Sequence, residues 1–108
     1  MDESEFNQRV DDILEQIEDA IEDTGVDIDY ETAGGILTLT FENDSKIIIN
    51  RQTPVRQIWV ATQQGGFHFV HNEEVDQWQL EGAELELFAA LSQYCSDQAG
   101  EPIEVSGP

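Results

Sequence analysis

Eight carboxylates fall between positions 15 and 31 of this chain: Glu15, Glu18, Asp19, Glu22, Asp23, Asp27, Asp29 and Glu31. Asp and Glu are hard oxygen ligands, suited to iron, manganese, magnesium or calcium. A solvent-exposed row of them holds such ions weakly and at several places, because no cage preorganises a coordination shell. One established cage is excluded. With Asp27 as first ligand, Thr32 stands where an EF-hand needs Gly and Thr38 where it needs Glu. His68 and His71 are three apart on a predicted strand and so face opposite ways, which makes them poor co-ligands. No nucleophile–base pair and no phosphate loop is visible, and the chain is read as a binding protein, not an enzyme.

The element that carries the first five carboxylates is a helix. Phe6, Val10, Ile13, Leu14, Ile17 and Ile21 recur at three- and four-residue steps between Asp2 and about Asp23. Ser4 with Asn7, or Asp2 with Glu5, could cap its start, and only the second pair has the acidic residue of a capping box. Gly25 ends it. At about 100° per residue, Asp11, Glu15, Glu18 and Glu22 form a stripe beside the apolar face, and Asp12, Asp19 and Asp23 a second stripe further out. Like charges four residues apart cost a helix about 0.2–0.5 kcal/mol per pair. Acids late in a helix also oppose its dipole. An ordinary solvated face would mix in Lys, yet Arg9 is the only base here. An arrangement that works against helix stability points to a functional anionic surface.

The other three carboxylates sit on a strand. Val26, Ile28 and Tyr30 alternate with Asp27, Asp29 and Glu31, an edge-strand composition that extends the helix ridge. Gly34-Gly35 turns the chain into a second strand through Leu37, Leu39 and Phe41. Asn43-Asp44 is read as a two-residue hairpin turn. Lys46–Arg51 forms a third strand, and its Ile47-Ile48-Ile49 leaves the core-facing side open. Pro54 precedes a strand over Gln57–Thr62, with Ile58 and Val60 on one face and Gln57, Trp59 and Ala61 on the other. Gly65-Gly66 is read as the next turn, before a strand at Phe67–Phe69. A short strand follows at Gln77–Leu80. A second helix is expected over Ala83–Gln98, burying Leu87, Phe88, Leu91, Tyr94 and Cys95. Cys95 there is a small apolar residue, not a reactive thiol. Helix, antiparallel strands, helix gives an α+β fold: a two-layer sandwich, both helices on one face of the sheet. Trp59 then lies on the other face, either covered by a further element or left in solvent as a partner contact.

At 108 residues the chain is one domain, 1–108. Four Lys plus Arg stand against 24 Asp plus Glu, a formal net charge of −20. Such a chain repels nucleic acid and anionic membranes and seeks cations or basic protein surfaces. No apolar run is long enough to span a bilayer. Met1-Asp2-Glu3 opens no signal or transit sequence, so a cytoplasmic protein is expected. Cys95 alone allows no internal disulfide.

The stretch Asn50-Arg51-Gln52-Thr53-Pro54-Val55-Arg56-Gln57-Ile58-Trp59-Val60-Ala61-Thr62, followed by Gly65-Gly66 and His68-Phe69, resembles the signature of the frataxin family, in its bacterial branch. Ser4-Glu5-Phe6, Gly34–Thr38, Thr40–Asn43, Ser45–Arg51 and Gln98-Ala99-Gly100 extend the likeness over nearly the whole chain, with Val70–Glu86 matching least. The resemblance implies the same α-β-α sandwich, with the C-terminal tail packed between the helices. It implies ferrous and ferric iron bound on an acidic ridge, here Glu15, Glu18, Asp19, Glu22, Asp23, Asp27, Asp29 and Glu31. It further implies docking of that ridge on the cysteine desulfurase, within the complex that contains the iron–sulfur scaffold protein. Glu18, Asp19 and Glu22, with Asn50, Gln52, Gln57 and Trp59 on the sheet, are the partner-binding residues so implied. The protein would then tune cluster assembly, as a monomer that iron can drive to associate, and could donate iron. The alternative is an iron store or ferroxidase, which needs a preorganised carboxylate/His centre. Charge alone would also suit a nucleic-acid mimic, a reading that leaves the Trp59 stretch unexplained.

A self-repelling ridge has a measurable consequence. Salt, by screening, and divalent cations, by binding the native state, should both raise the melting temperature. Thermal unfolding that responds to neither would mean acids too dispersed to interact.

Overall fold

Asp2 starts the first helix: its carboxylate accepts the Glu5 N–H at 2.8 Å. This settles the cap in favour of Asp2, although the Glu5 side chain turns to Arg9 instead of completing a capping box. The helix, α1, spans Glu3–Asp23 in the computed structural model, which describes residues 1–107. It buries Phe6, Val10, Leu14, Ile17, Ala20 and Ile21, while Ile13 stays half-exposed on the flank. Thr24 closes it, and Gly25 follows with a φ of 68°.

Six strands follow in sheet order equal to chain order, each antiparallel to the next. They are β1 (Ile28–Ala33), β2 (Ile36–Phe41), β3 (Lys46–Gln52), β4 (Gln57–Thr62), β5 (Gly65–Asn72) and β6 (Gln77–Leu80). The second helix, α2, spans Leu87–Ala99. Register puts Ile28 opposite Phe41, Leu39 opposite Ile47, Ile49 opposite Val60, and Ile58 opposite Phe69. All of these side chains are buried in one core with both helices. The isoleucine run is thereby resolved: Ile47 and Ile49 point to the helices and Ile48 to the other side.

Four turn and boundary expectations are corrected. The β2–β3 connection is a wider loop, Glu42–Ser45, not a two-residue turn at Asn43-Asp44. The Asp44 N–H bonds the Phe41 carbonyl, and Asp44 adopts a φ of 66°. Asn43 is occupied otherwise, its Oδ1 accepting the Ser45 N–H at 3.0 Å. The β4–β5 turn is Gln63-Gln64, and Gly65 and Gly66 belong to β5, opposite Thr62 and Ala61. α2 begins four residues later than the apolar period suggests. The Glu86 carboxylate caps it by accepting the Phe88 and Ala89 N–H groups, and Gly82, at a φ of 82°, keeps the preceding segment in a turn. At the start of β1, Val26 and Asp27 precede the strand, which opens at Ile28.

The tail runs along α2. Ile103 and Val105 are buried, and their N–H groups donate to the hydroxyls of Ser96 and Ser92, each at 2.8 Å. Cys95 is buried in the core, which pushes its thiol up to about 12. Gln98 is the buried polar knot of the molecule. Its amide donates to the Ser45 hydroxyl at 3.0 Å and the Lys46 carbonyl at 3.2 Å, and its Oε1 accepts the Gln63 N–H at 3.1 Å. It ties the end of α2 to two sheet turns at once. Gln98→Ala should therefore leave the buried Ser45 hydroxyl and two part-buried backbone groups without their partner and cost about 1–3 kcal/mol in denaturant unfolding. A loss within experimental error would show that water replaces the amide without penalty.

Candidate functional site

Leu14, Ile17 and Ile21 fix the roll of α1, and that roll turns the inner acidic stripe toward edge strand β1. Glu15, Asp19, Glu22 and Asp23 are exposed and Glu18 is half-buried. The strand meets the stripe with hydroxyls. Tyr30 donates its phenol to Glu22 Oε1 at 2.6 Å, and Thr32 donates to Glu18 Oε2 at 2.8 Å. Two carboxylates one helical turn apart are thus held against β1. The bond to Glu22, helped by burial and by the charges of Glu22, Glu18 and Asp19, pushes the Tyr30 phenol up to about 12. Asp11, the first member of that stripe, is bound by the Arg51 guanidinium from β3.

The three remaining sequence-derived carboxylates are distributed differently. Tyr30 and Thr32 lie on the helix side of β1, so Asp29 and Glu31 alternate to the opposite face, opposite Thr40 and Thr38. The ridge therefore wraps the sheet edge, with helix acids on one side of β1 and strand acids on the other. Hydrogen bonding to Asp27, just before the strand, with the Asp27 charge, burial and the Glu101 charge, raises the Glu42 carboxyl above its usual range. Asp27, Glu42 and Glu101 line a shallow cavity of about 350 Å³. Sequence patterns miss Glu42 and Glu101, because a loop and a helix end bring them to Asp27 from distant positions.

Among the described residues, no three carboxylate, imidazole or thiol groups converge closely enough to enclose a metal ion. No ion pair among the described residues engages Glu15, Glu18, Asp19, Glu22, Asp23, Asp27, Asp29 or Glu31. The arrangement can attract hydrated hard cations and cationic side chains at an open surface.

The other sequence-derived residues share the open sheet face. Asn50 stands opposite Trp59 and Gln52 opposite Gln57. Trp59 donates its indole N–H to Gln57 Oε1 at 2.7 Å, and Gln52 donates to Asn50 Oδ1 at 3.1 Å. Trp59 is half-buried, and its ring stacks on His68 at 4.3 Å and 9°. No helix covers this face, since both pack on the other. His68 joins this platform, and sequence reading misses it for a definite reason. A turn at Gly65-Gly66 would pair Trp59 with Asn72, whereas the turn at Gln63-Gln64 pairs it with His68. His71 faces the helix layer, 5.3 Å from Trp78, so the two histidines do lie on opposite faces.

Comparison with known proteins agrees with this geometry. The family model of the frataxin-like domain matches residues 1–101. This chain belongs to the frataxin family. The iron–sulfur cluster assembly protein CyaY of Pseudomonas aeruginosa is 44% identical over 107 residues, 99% of either chain. The CyaY of Vibrio cholerae is 50% identical over 105 residues, 96% of this chain and 98% of its own. Among solved structures, frataxin from Psychromonas ingrahamii superposes with a TM-score of 0.88 at 39% identity, covering 98% of this chain and 99% of its own. Yeast frataxin gives 0.60 at 25% identity, covering 87% of this chain and 76% of its own. The bacterial CyaY branch and the two-layer frataxin fold expected from the signature are thus shown. Family membership also places the chain with non-enzymatic proteins. No helix among the described residues is long and apolar enough to cross a membrane.

The bond to Glu22 makes a prediction for this frataxin. A phenol whose folded-state pKa lies above its unfolded value stabilises the fold below the unfolded value, and that stability is lost as pH rises through the folded one. Tyr30 should therefore give a falling stability between about 10 and about 12. Tyr30→Phe should shrink that slope in alkaline unfolding curves, leaving the part due to Tyr94, which burial also raises. An unchanged slope would mean the Tyr30–Glu22 bond does not persist in solution.

Proposed function

We propose that this frataxin is an iron-binding regulator of iron–sulfur cluster assembly that docks its acidic ridge on a basic face of the cysteine desulfurase and modulates its activity. The observation that carries the reading is the uncompensated ridge. Eight carboxylates on α1 and at β1 have no cationic partner among the described residues, although the chain has Lys and Arg elsewhere. A partner that supplies Arg or Lys would complete charge-assisted bonds the fold leaves unmade. Relatives named as iron–sulfur cluster assembly proteins support the same reading.

In this proposal Glu18, Asp19 and Glu22 meet the enzyme. Asn50, Gln52, Gln57 and Trp59 form the sheet contact to the assembled complex, which includes the scaffold protein. Trp59 is the anchor there, because aromatic rings with a wet rim dominate binding energy. Iron, as cargo, occupies weak sites among Glu15, Glu18, Asp19, Glu22, Asp23, Asp27, Asp29 and Glu31, and open oxygen ligands suit its release to the complex. An iron store or ferroxidase is less well supported, since it calls for a converging donor set and none forms among the described residues.

Charge reversal tests the proposal. The triple variant Glu18→Lys, Asp19→Lys, Glu22→Lys should fold, because the three are outside the core, and should weaken desulfurase binding at least about 100-fold. An amide NMR titration should show ferrous iron perturbing residues 15 to 31, and the enzyme perturbing these and Trp59. Full affinity in the folded triple variant would overturn the docking reading. Iron shifts at the ridge without any enzyme-induced shift would leave a metal-binding protein with a different partner.

A further inference from the structure

His71 is the one ionisable side chain on the helix side of β5 that the proposed function does not use. Its side chain is 7% exposed, and its Nδ1 is buried without a hydrogen-bond partner. Its Nε2 lies 2.8 Å from Asp76 Oδ1, in the loop between β5 and β6. A carboxylate only accepts, so Nε2 carries the proton and Nδ1 a bare lone pair. Arg9 of α1 completes the group. Its NH1 donates to Asp76 Oδ1 at 3.1 Å and passes 3.5 Å from His71 Nε2.

We infer that the β5–β6 loop is a strap latched to α1 through His71, Asp76 and Arg9, and that protonation of His71 opens it. A second proton would place an N–H at Nδ1 where nothing accepts it. It would also set a cation beside the Arg9 guanidinium, whose NH1 lies 3.5 Å from Nε2. The charged neighbours can be weighed element by element. From α1 comes Arg9, itself bound by Glu5, with Asp12 further along the groove. From the loop comes Asp76, from β6 only the Trp78 ring. Glu86, before α2, lines the adjoining groove, but its carboxylate is engaged by the Phe88 and Ala89 N–H groups. Asp76 alone attracts the imidazolium. It is 77% exposed and already shared with Arg9, so its pull is screened and divided.

The protonated ring gains solvation by swinging off Trp78 into water. Asp76 then keeps only the Arg9 donor, one of the two bonds that hold it at a left-handed φ of 51°. The released loop withdraws Asp76 from the wall of a groove that it lines together with Arg9, Asp12, Ile13, Gln16 and Trp78, and so widens that groove.

The test uses the full, nitrogen-15-labelled chain. Long-range imidazole spectra should assign the Nε2–H tautomer to His71 at high pH. Amide exchange at Val75–Trp78, divided by intrinsic rates, should show loop opening that rises on acidification with a limiting slope of about tenfold per pH unit, that of one linked proton. His71→Gln keeps a donor for Asp76 and cannot be protonated, so it should abolish that slope. Loop opening that is flat with pH in the natural chain would overturn the inference, as would an unchanged slope in the variant. Should the variant not fold, the natural chain still decides. Imidazolium signals from His71 with loop amides still protected would refute the strap.

Discussion

Everything about this molecule depends on one face of α1 being apolar enough to hold down a flank that repels itself. Burying Phe6, Val10, Leu14, Ile17 and Ile21 contributes about 1.5–3 kcal/mol each, an upper range because unfolded chains already bury some surface. The like-charge pairs on the opposite flank cost about 0.2–0.5 kcal/mol each. The core term wins several-fold, so the helix tolerates its acids without internal neutralisation. The roll of α1 that buries this face also fixes which acids confront β1. A core that merely stabilised the helix would not need Tyr30 and Thr32 at that seam, where they bind Glu22 and Glu18.

The few cations of the chain sharpen the asymmetry. Arg9 is bound by Glu5 and Asp76, Arg51 by Asn7 and Asp11, and Arg56 donates to the Thr53 carbonyl while lying 6.0 Å over the Phe6 ring. Each of these three arginines braces an end or flank of α1 against the sheet, while the fourth base, Lys46, is exposed at the start of β3. None reaches the acids from Glu15 to Glu31. Interspersing these bases among the acids would have made an ordinary soluble surface. Placing them as braces leaves the ridge as a field that an external cation must satisfy.

Much of this was legible in the sequence because it rests on periodicity. The 3.6-residue repeat of α1 and the alternation in β2 and β4 gave the layers, the core and the stripe order. Distant side chains meeting across turns were not legible. The Gln63-Gln64 turn shifts the β5 register, and only that shift seats His68 on Trp59. The glycines mislead here because Gly65, at a φ of 147°, opens a strand instead of a tight turn. At α2, an apolar period that runs through Ala83 cannot reveal that the Glu86 side chain caps a later start. The Asp27–Glu42 contact is hidden likewise, since it joins the α1–β1 link to a loop whose width sequence underestimates.

The two functional surfaces meet at β1. Alternation along an edge strand is a local rule, yet here it has a global effect. Even positions point to α1 and hold its carboxylates, while odd positions carry Asp29 and Glu31 to the face of Trp59. Negative charge is therefore continuous around the edge, and a partner gripping β1 would touch helix acids with one surface and the sheet with another. The same charge protects the edge. An unpaired strand invites addition of a further strand, and a row of exposed carboxylates makes a second copy of this chain an unfavourable addition. One set of residues thus blocks self-association and attracts a basic partner, which is why an uncompensated edge can persist in a stable fold.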